Sequence, residues 1–227
     1  MVRKGIPASA RGEVWTILSR SHLLYPTEDY EGRRSKWMRE LLTKKLEKED
    51  LGVIVKDVPR TIPSPASAQK ALFAVLKCIT INSPETGYVQ GMNYIASTLM
   101  KYTTPENSFM MMISLFEEYG VKEWFKPGMV GLKKDFYILL SLQKKYMPAL
   151  FKKMAECYYY PSVYAQKWFI TLFSAFFQLE LVSRIWDIYL VEGRKTIFRV
   201  ALAIMKINEN ELMKADQCRI FTIFDDY

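Results

Sequence analysis

The sequence predicts an all-α fold. In most segments apolar residues recur with the three- to four-residue period of a helix, and no segment alternates long enough to suggest a strand. Ten prolines separate these segments, and hairpin signals are almost absent. Half of the 227 residues are hydrophobic and 14% are aromatic, which is enough apolar material for a sizeable core. We therefore expect a single multi-helix domain over residues 1–227.

The individual helices follow from the spacing of apolar residues and from stop signals. Ile197, Val200, Ala201 and Ile204 share one helical face, and Gly193 is a suitable stop for the helix before them. The predicted helices span residues 9–19, 35–49, 66–80, 90–103, 107–119, 132–145, 148–157, 164–176, 180–191 and 195–208. Residues 219–227 resemble a helix that has just begun, so we expect the terminal helix of the domain to be incomplete.

Composition narrows the class of protein. The net charge of +8 favours an acidic partner such as nucleic acid, an anionic membrane or an acidic protein surface. Much of this charge lies in residues 33–50, where acidic residues dilute it, which is typical of a solvated helix face. Three distant cysteines without a CxxC pair indicate a reducing compartment. The N-terminus lacks a secretory signal, and the most apolar stretch, residues 168–182, is too short to span a bilayer. We expect a cytoplasmic protein.

Several kinds of chemistry lack the residues they need. His22 is the one histidine in the sequence, which argues against a Ser-His-Asp triad, histidine acid–base catalysis and a histidine-rich metal site. Neither a GxxxxGK[ST] loop nor a GxGxxG motif is present to bind a nucleotide. We therefore expect no bound metal, no cofactor and no small-molecule substrate of the chain's own.

The first unusual segment surrounds Arg60. Pro59 and Pro63 bracket this arginine, which predicts a stiff, non-helical loop that holds the guanidinium outward at small entropic cost. The alternative is a surface arginine that pairs with Asp57. This segment alone does not decide between the two.

The second segment, residues 87–93, opens an apolar helix. Gln90 is predicted near the helix N-terminus, beside Gly91, which would let another backbone approach closely. The alternative is an ordinary helix start that Gln90 or Asn93 caps.

Together the two segments suggest a function. GTP hydrolysis uses an arginine to neutralise charge on the transferring phosphoryl group and a glutamine to orient the attacking water. A protein that presents both side chains from rigid segments could complete the active site of a slow GTPase.

At this point the sequence resembles a known family. Ile54-x-x-Asp57-x-x-Arg60 and Tyr88-x-Gln90-Gly91-Met92-Asn93 are similar to the arginine-finger and glutamine-finger motifs of the TBC domain, the fold of Rab GTPase-activating proteins. Further similar segments follow in the family's order and cover nearly the whole chain: Gly5-Ile6-Pro7 with Arg11 and Trp15, Trp168-Phe169-x-x-Leu172-Phe173, Arg184-Ile185-Trp186-Asp187, and Phe198-Arg199-Val200-Ala201-Leu202. The sequence departs from the family at Ile62, where phenylalanine is usual, and at Pro65, where histidine is common.

The resemblance implies an activator of a GTP-bound Rab-family GTPase. Arg60 and Gln90 would be catalytic, and Asp57, Tyr88, Gly91 and Asn93 would support them or bind the GTPase. GTP and Mg²⁺ would belong to the partner. It also implies a role in membrane trafficking, with recruitment to endomembranes and no nucleic-acid partner. Two rivals remain open: a GTPase-binding module without catalysis, and a basic helical scaffold for membranes or nucleic acid, whose binding would weaken steeply with salt.

Other conspicuous residues are expected to be structural. Their spacing predicts a helical core for the aromatic set Trp168, Phe169, Phe173, Phe176 and Phe177. Met110, Met111 and Met112 are expected to fill the core, with a partner groove as the alternative. Arg11 is a candidate to pair with a carboxylate near the Arg60 segment, and no role is predicted for Tyr158, Tyr159 and Tyr160.

Overall fold

The computed structural model describes residues 4–21 and 30–225. Within these ranges every regular element is helical, which confirms the predicted all-α class. His22 lies outside them. The α-helices are α1 (Ala8–Leu18), α2 (Tyr30–Thr43), α3 (Lys48–Thr61), α4 (Ala66–Asn82), α5 (Met92–Leu99), α6 (Pro105–Glu117), α7 (Lys122–Phe125), α8 (Val130–Tyr146), α9 (Pro148–Glu156), α10 (Pro161–Tyr164), α11 (Gln166–Ile170), α12 (Leu179–Glu192), α13 (Lys195–Ile207), α14 (Glu209–Lys214) and α15 (Gln217–Asp225).

The chain divides into two compact units, Met1–Pro127 and Gly128–Tyr227. The single domain expected from the sequence stays a prediction. None of the helices within residues 4–21 and 30–225 combines the length and the apolar character that crossing a bilayer requires.

Helix α6 forms the centre of the first unit. Residues 108–116 are all buried, so this helix is surrounded by other elements instead of having one solvent face. The Thr104 hydroxyl accepts a hydrogen bond from the Asn107 N–H at 3.3 Å, and Pro105 occupies the first helical position, so the helix has a defined start. The burial of residues 110–112 confirms that the three methionines are core. Helix α4 packs against α6 and also contacts α2, α3 and α5.

The predicted helix over residues 35–49 is wrong, because two helices occupy this region. Helix α2 ends at Thr43, and α3 begins at Lys48 after an extended Glu47 with φ −59° and ψ 145°. Glu49 and Asp50 lie in the first turn of α3, where carboxylates interact favourably with the partial positive charge of the helix N-terminus. The predicted segment therefore ran through a helix start.

The predicted helix over residues 164–176 is also wrong beyond residue 170. Leu172 and Phe173 adopt left-handed backbone conformations, with φ of 49° and 65°, so the chain turns after α11. The Phe173 N–H donates to the Trp168 carbonyl at 2.8 Å, and the Trp186 indole N–H donates to the Leu172 carbonyl at 2.9 Å. These two hydrogen bonds stabilise a left-handed backbone conformation that non-glycine residues rarely adopt.

The aromatic residues of the second unit nevertheless form its core. Trp168, Phe169, Phe173 and Phe176 are buried, and Phe177 is half-buried. The three consecutive tyrosines differ: Tyr159 is buried and stacks on Tyr164 and Phe224, whereas Tyr158 and Tyr160 are exposed.

Candidate functional site

Arg60 and Gln90 come from two neighbouring elements of the first unit. Arg60 lies in the last turn of α3, and Gln90 lies in the turn just before α5, which packs against α3. Both residues are exposed. Neither side chain makes a hydrogen bond or an ion pair with any residue of the described ranges. Both polar groups are therefore available to another molecule.

The structure corrects the predicted surroundings of Arg60. This residue is in a helix and not in a proline-bracketed loop. Ile54, Asp57 and Val58 are buried on the inner face of α3, while Pro59 and Arg60 are exposed on the outer face. A proline on the exposed side of a last turn removes one intrahelical hydrogen bond at a point where water can replace it. Such a proline can therefore remain within the helix.

The backbone that follows Arg60 is fixed to α4. Helix α3 ends at Thr61, and the next residue, Ile62, has an extended backbone with φ −128° and ψ 96°. The Gln69 amide on α4 donates hydrogen bonds to the carbonyls of both Ile62 and Pro63 at 2.9 Å. Ile62 itself is buried. The end of the arginine-bearing helix is therefore held in one position.

Asp57 does not pair with Arg60. It is buried, and its carboxylate accepts a hydrogen bond from the Tyr88 hydroxyl at 2.9 Å. The pKa of the Tyr88 phenol is raised, chiefly by burial and further by the negative charge of Asp57 and by this hydrogen bond. Tyr88 is therefore a neutral donor near pH 7. Asp57 joins α3 to the segment that carries Gln90, and the sequence-based alternative of an Arg60–Asp57 ion pair is wrong.

A second set of hydrogen bonds ties the Gln90 turn to the residue next to Arg60. The Gly91 N–H donates to the Asn93 side-chain carbonyl at 2.9 Å, and the Asn93 amide donates to the Thr61 hydroxyl at 2.7 Å. Thr61 in turn donates to the Asp57 carbonyl at 2.7 Å. Gly91 has φ 117°, a conformation that glycine adopts at little cost. The Gln90 side chain makes no capping hydrogen bond to any helix of the described ranges, so the alternative in which Gln90 caps α5 is wrong.

Sequence reasoning missed two contributors to this arrangement, Asp50 and Thr61. The Asp50 carboxylate accepts a hydrogen bond from the Tyr88 N–H at 2.9 Å, across 38 positions of sequence. A Cβ at Gly87, where φ is 61°, would lie 3.2 Å from an Asp50 carboxylate oxygen, so glycine lets the two segments approach. Thr61 follows Arg60 directly and could have been suspected from that position. No local signal marks Asp50.

Arg11 lies in α1 of the first unit, and its pairing with a carboxylate near the Arg60 segment stays a prediction. Its guanidinium is 5.2 Å from the Tyr102 ring centroid and 5.9 Å from that of Trp15, and the residue is buried. These contacts fit a packing role for the arginine. In the ranges that the structure describes, no group of histidine, cysteine and carboxylate side chains is arranged to hold a metal ion.

Tyr88→Phe should lower the free energy of unfolding by about 1–3 kcal/mol at pH 7, because the buried Asp57 carboxylate would lose its phenolic donor. The raised pKa of Tyr88 gives a further signature. A raised pKa means that folding favours the protonated phenol. The contribution of Tyr88 to the free energy of unfolding is therefore complete below the ordinary tyrosine pKa of about 10 and is lost as the pH rises above that value. Urea titrations at pH 7 and in alkali measure both effects. The exposed Tyr146→Phe variant is the control, and equal midpoints for the two variants at pH 7 would contradict the assignment.

The sequence is similar to a known domain family and to curated members of that family. The family model described as the Rab-GTPase-TBC domain matches residues 8–213. Among curated relatives, the human ecotropic viral integration site 5 protein homolog is 32% identical over 223 residues, covering 95% of this chain and 26% of that protein. The GTPase-activating protein GYP5 of Eremothecium gossypii is 33% identical over 216 residues, covering 94% and 25% respectively. The Rab GTPase-activating protein tbc-11 of Caenorhabditis elegans is 30% identical over 223 residues, covering 95% and 23%.

Solved structures show the same fold. The Chlamydomonas flagellar RabGAP TBC domain superposes with a TM-score of 0.84 at 26% identity, covering 100% of this chain and 76% of that chain. The Ypt/Rab-GAP domain of Gyp1p superposes with a TM-score of 0.85 at 22% identity, covering 99% and 83%. The chain spans about a quarter of the length of these three curated relatives. With a family match over residues 8–213 and this shared fold, the chain belongs to the Rab-GTPase-TBC domain family.

Proposed function

We propose that this domain accelerates GTP hydrolysis by a GTP-bound small GTPase of the Rab family. The observation that carries the proposal is the pair of exposed side chains, Arg60 and Gln90, which have no polar partner within the described ranges. They lie on two elements joined by one buried and one partly buried hydrogen bond. Membership of the Rab-GTPase-TBC domain family supports the choice of partner. The names of the relatives, among them a GTPase-activating protein and a Rab GTPase-activating protein, support the choice of activity.

Arg60 is the proposed source of positive charge. Negative charge spreads over the oxygens of the transferring phosphoryl group during hydrolysis, and a guanidinium stabilises it with several N–H donors in a planar fork. The end of α3 is fixed by Gln69 on α4, so little backbone entropy would be lost when the arginine enters the partner's site. Within residues 4–21 and 30–225, the exposed guanidinium has no ion pair that would have to break first.

Gln90 is the proposed water-orienting residue. Its amide can accept a hydrogen bond from the attacking water and donate one to a neighbouring group, which is how glutamine acts in GTP hydrolysis. The nucleotide and Mg²⁺ would belong to the GTPase, so this chain would need no cofactor of its own. Such a partner would place the activity in the cytoplasm, at endomembranes.

The surrounding residues are proposed to set the spacing of the two fingers. Tyr88 joins Asp57, and Asn93 joins Thr61 and the Gly91 N–H, so that the Gln90 turn and the Arg60 turn are connected at two points. A displacement of about 1 Å can cost about 100-fold in rate, so these connections matter for catalysis although they touch no nucleotide.

A hydrolysis screen against a panel of GTP-loaded Rab proteins tests this function. Phosphate release is measured during a single turnover of the GTPase, with the domain present in substoichiometric amounts. We expect at least one Rab to be accelerated by about 10³-fold or more. GTP-loaded Ras is the specificity control. Tight binding to a GTP-loaded Rab without acceleration of any panel member would instead identify a GTPase-binding module without catalysis.

A further inference from the structure

Helix α8 of the second unit has a continuous exposed face along its whole length. Residues spaced three and four apart fall on one side of a helix, and eight residues that share one side of α8 are all exposed. We call this surface the α8 face. It consists of Val130, Lys133, Lys134, Tyr137, Ile138, Ser141, Lys144 and Lys145. Sixteen residues at about 1.5 Å rise give the face a length of roughly 24 Å.

The charge of the α8 face has one sign. It contains four lysines and no acidic residue, and none of these lysines forms an ion pair with a residue of the described ranges. The single acidic residue of α8, Asp135, is buried and is paired with Arg194. It therefore does not neutralise the exposed lysines. Such a surface attracts an extended anionic partner.

Large apolar groups lie between the lysines. Tyr137 is 73% exposed, Val130 is 57% exposed and Ile138 is 40% exposed. They line a shallow depression together with Lys133 and Lys134. All five lining residues belong to α8, so the depression has no opposing wall from a second helix and is not a groove for a partner helix.

We propose that the α8 face docks on an anionic bilayer surface. Apolar and aromatic side chains on one helix face can enter the boundary between headgroups and acyl chains, while lysines extend along their apolar stems to reach anionic headgroups. The α8 face offers both sets of groups on one exposed surface, with lysines near both ends. An acidic protein partner would satisfy the charge but would leave the exposed apolar groups without a bounded groove. The proposal is independent of the Arg60 and Gln90 chemistry.

Vesicle flotation tests the docking surface. The intact domain is mixed with vesicles of phosphatidylcholine alone or of phosphatidylcholine with phosphatidylserine. We expect binding to the mixed vesicles and little binding to the neutral ones. Each lysine near an anionic surface contributes about fivefold in affinity, so the Lys133→Gln/Lys134→Gln variant should bind about 25-fold more weakly. At high salt the attraction between lysines and headgroups is screened, so the binding that remains depends on the apolar groups. The Tyr137→Ser/Ile138→Ser variant should lose this remaining binding.

A matched control separates this face from general charge. Lys44 and Lys45 are adjacent and exposed in the first unit, so Lys44→Gln/Lys45→Gln makes the same change in net charge elsewhere. We expect the control to bind mixed vesicles like the native domain. Equal losses from the two lysine pairs, equal binding to both kinds of vesicle, or no vesicle binding at all would overturn the proposal. Neither lysine variant should change the stimulation of a soluble GTPase, so failure here is distinguishable from failure of the proposed activity.

Discussion

Arg60→Ala is expected to reduce the stimulation of GTP hydrolysis by about 10³- to 10⁵-fold, the range that an arginine finger supplies. This corresponds to about 4–7 kcal/mol of activation barrier. Folding should be almost unaffected, because the Arg60 side chain is exposed and makes no hydrogen bond or ion pair within the described part of the chain. Single-turnover phosphate release and thermal melting of the same sample measure the two effects separately.

Two further variants sharpen this result. Arg60→Lys keeps the charge but loses the planar fork, so it should also fail substantially. Lys56→Ala is the matched control, since Lys56 is an exposed cation one turn earlier on α3. It should change the rate only slightly. Retention of most activity by Arg60→Lys, or an equal loss in Lys56→Ala, would mean that general electrostatic attraction and not a finger explains the stimulation.

The sequence was sufficient to predict the helical class and the two exposed polar residues. Hydrophobic spacing is a strong signal in long amphipathic segments such as α8 and α13, and both were found. The prediction from sequence was wrong at the end of α3, where Pro59 and Pro63 suggested a loop. Because the proline ring lies on the outer face and the inner face still carries Ile54, Asp57 and Val58, packing of that face keeps the helix intact.

The region after α11 shows a different failure. Phe169, Phe173 and Phe177 have a spacing that indicates a helix, but Leu172 and Phe173 are left-handed. The Trp186 indole stabilises that turn from a helix that begins several residues later, through its hydrogen bond to the Leu172 carbonyl. Local periodicity contains no information about such a contact.

The hydrogen bonds within the candidate site likewise could not be predicted from local sequence patterns. Asp57 and Tyr88 are separated by 31 positions, and Asn93 and Thr61 by 32, yet each pair is hydrogen-bonded. The motifs named three of these four residues but did not say which would touch. Asp50 belongs to neither motif, and only the folded chain shows its contact with the Tyr88 backbone.

Gln90→Ala should remove most of the stimulation, by about 10²- to 10³-fold, the loss typical of one preorganised polar group in an active site. Its side chain is exposed and caps no helix in the part of the chain that the structure describes, so the melting temperature should be unchanged. In the Ras-type scheme the GTPase's own glutamine orients the water, and the partner lends only an arginine. Under our proposal Gln90 performs that task, because a correctly placed amide can orient water whichever chain supplies it.

If both fingers come from this chain, a comparison of four combinations of domain and GTPase should reveal it. Native domain and Gln90→Ala are each assayed by single-turnover phosphate release with a cognate Rab and with the same Rab whose own catalytic glutamine is changed to alanine. We expect the native domain to stimulate both GTPases and Gln90→Ala to stimulate neither appreciably. Stimulation that survives Gln90→Ala with the normal Rab, but disappears with the altered Rab, would contradict it and return the water-orienting role to the GTPase.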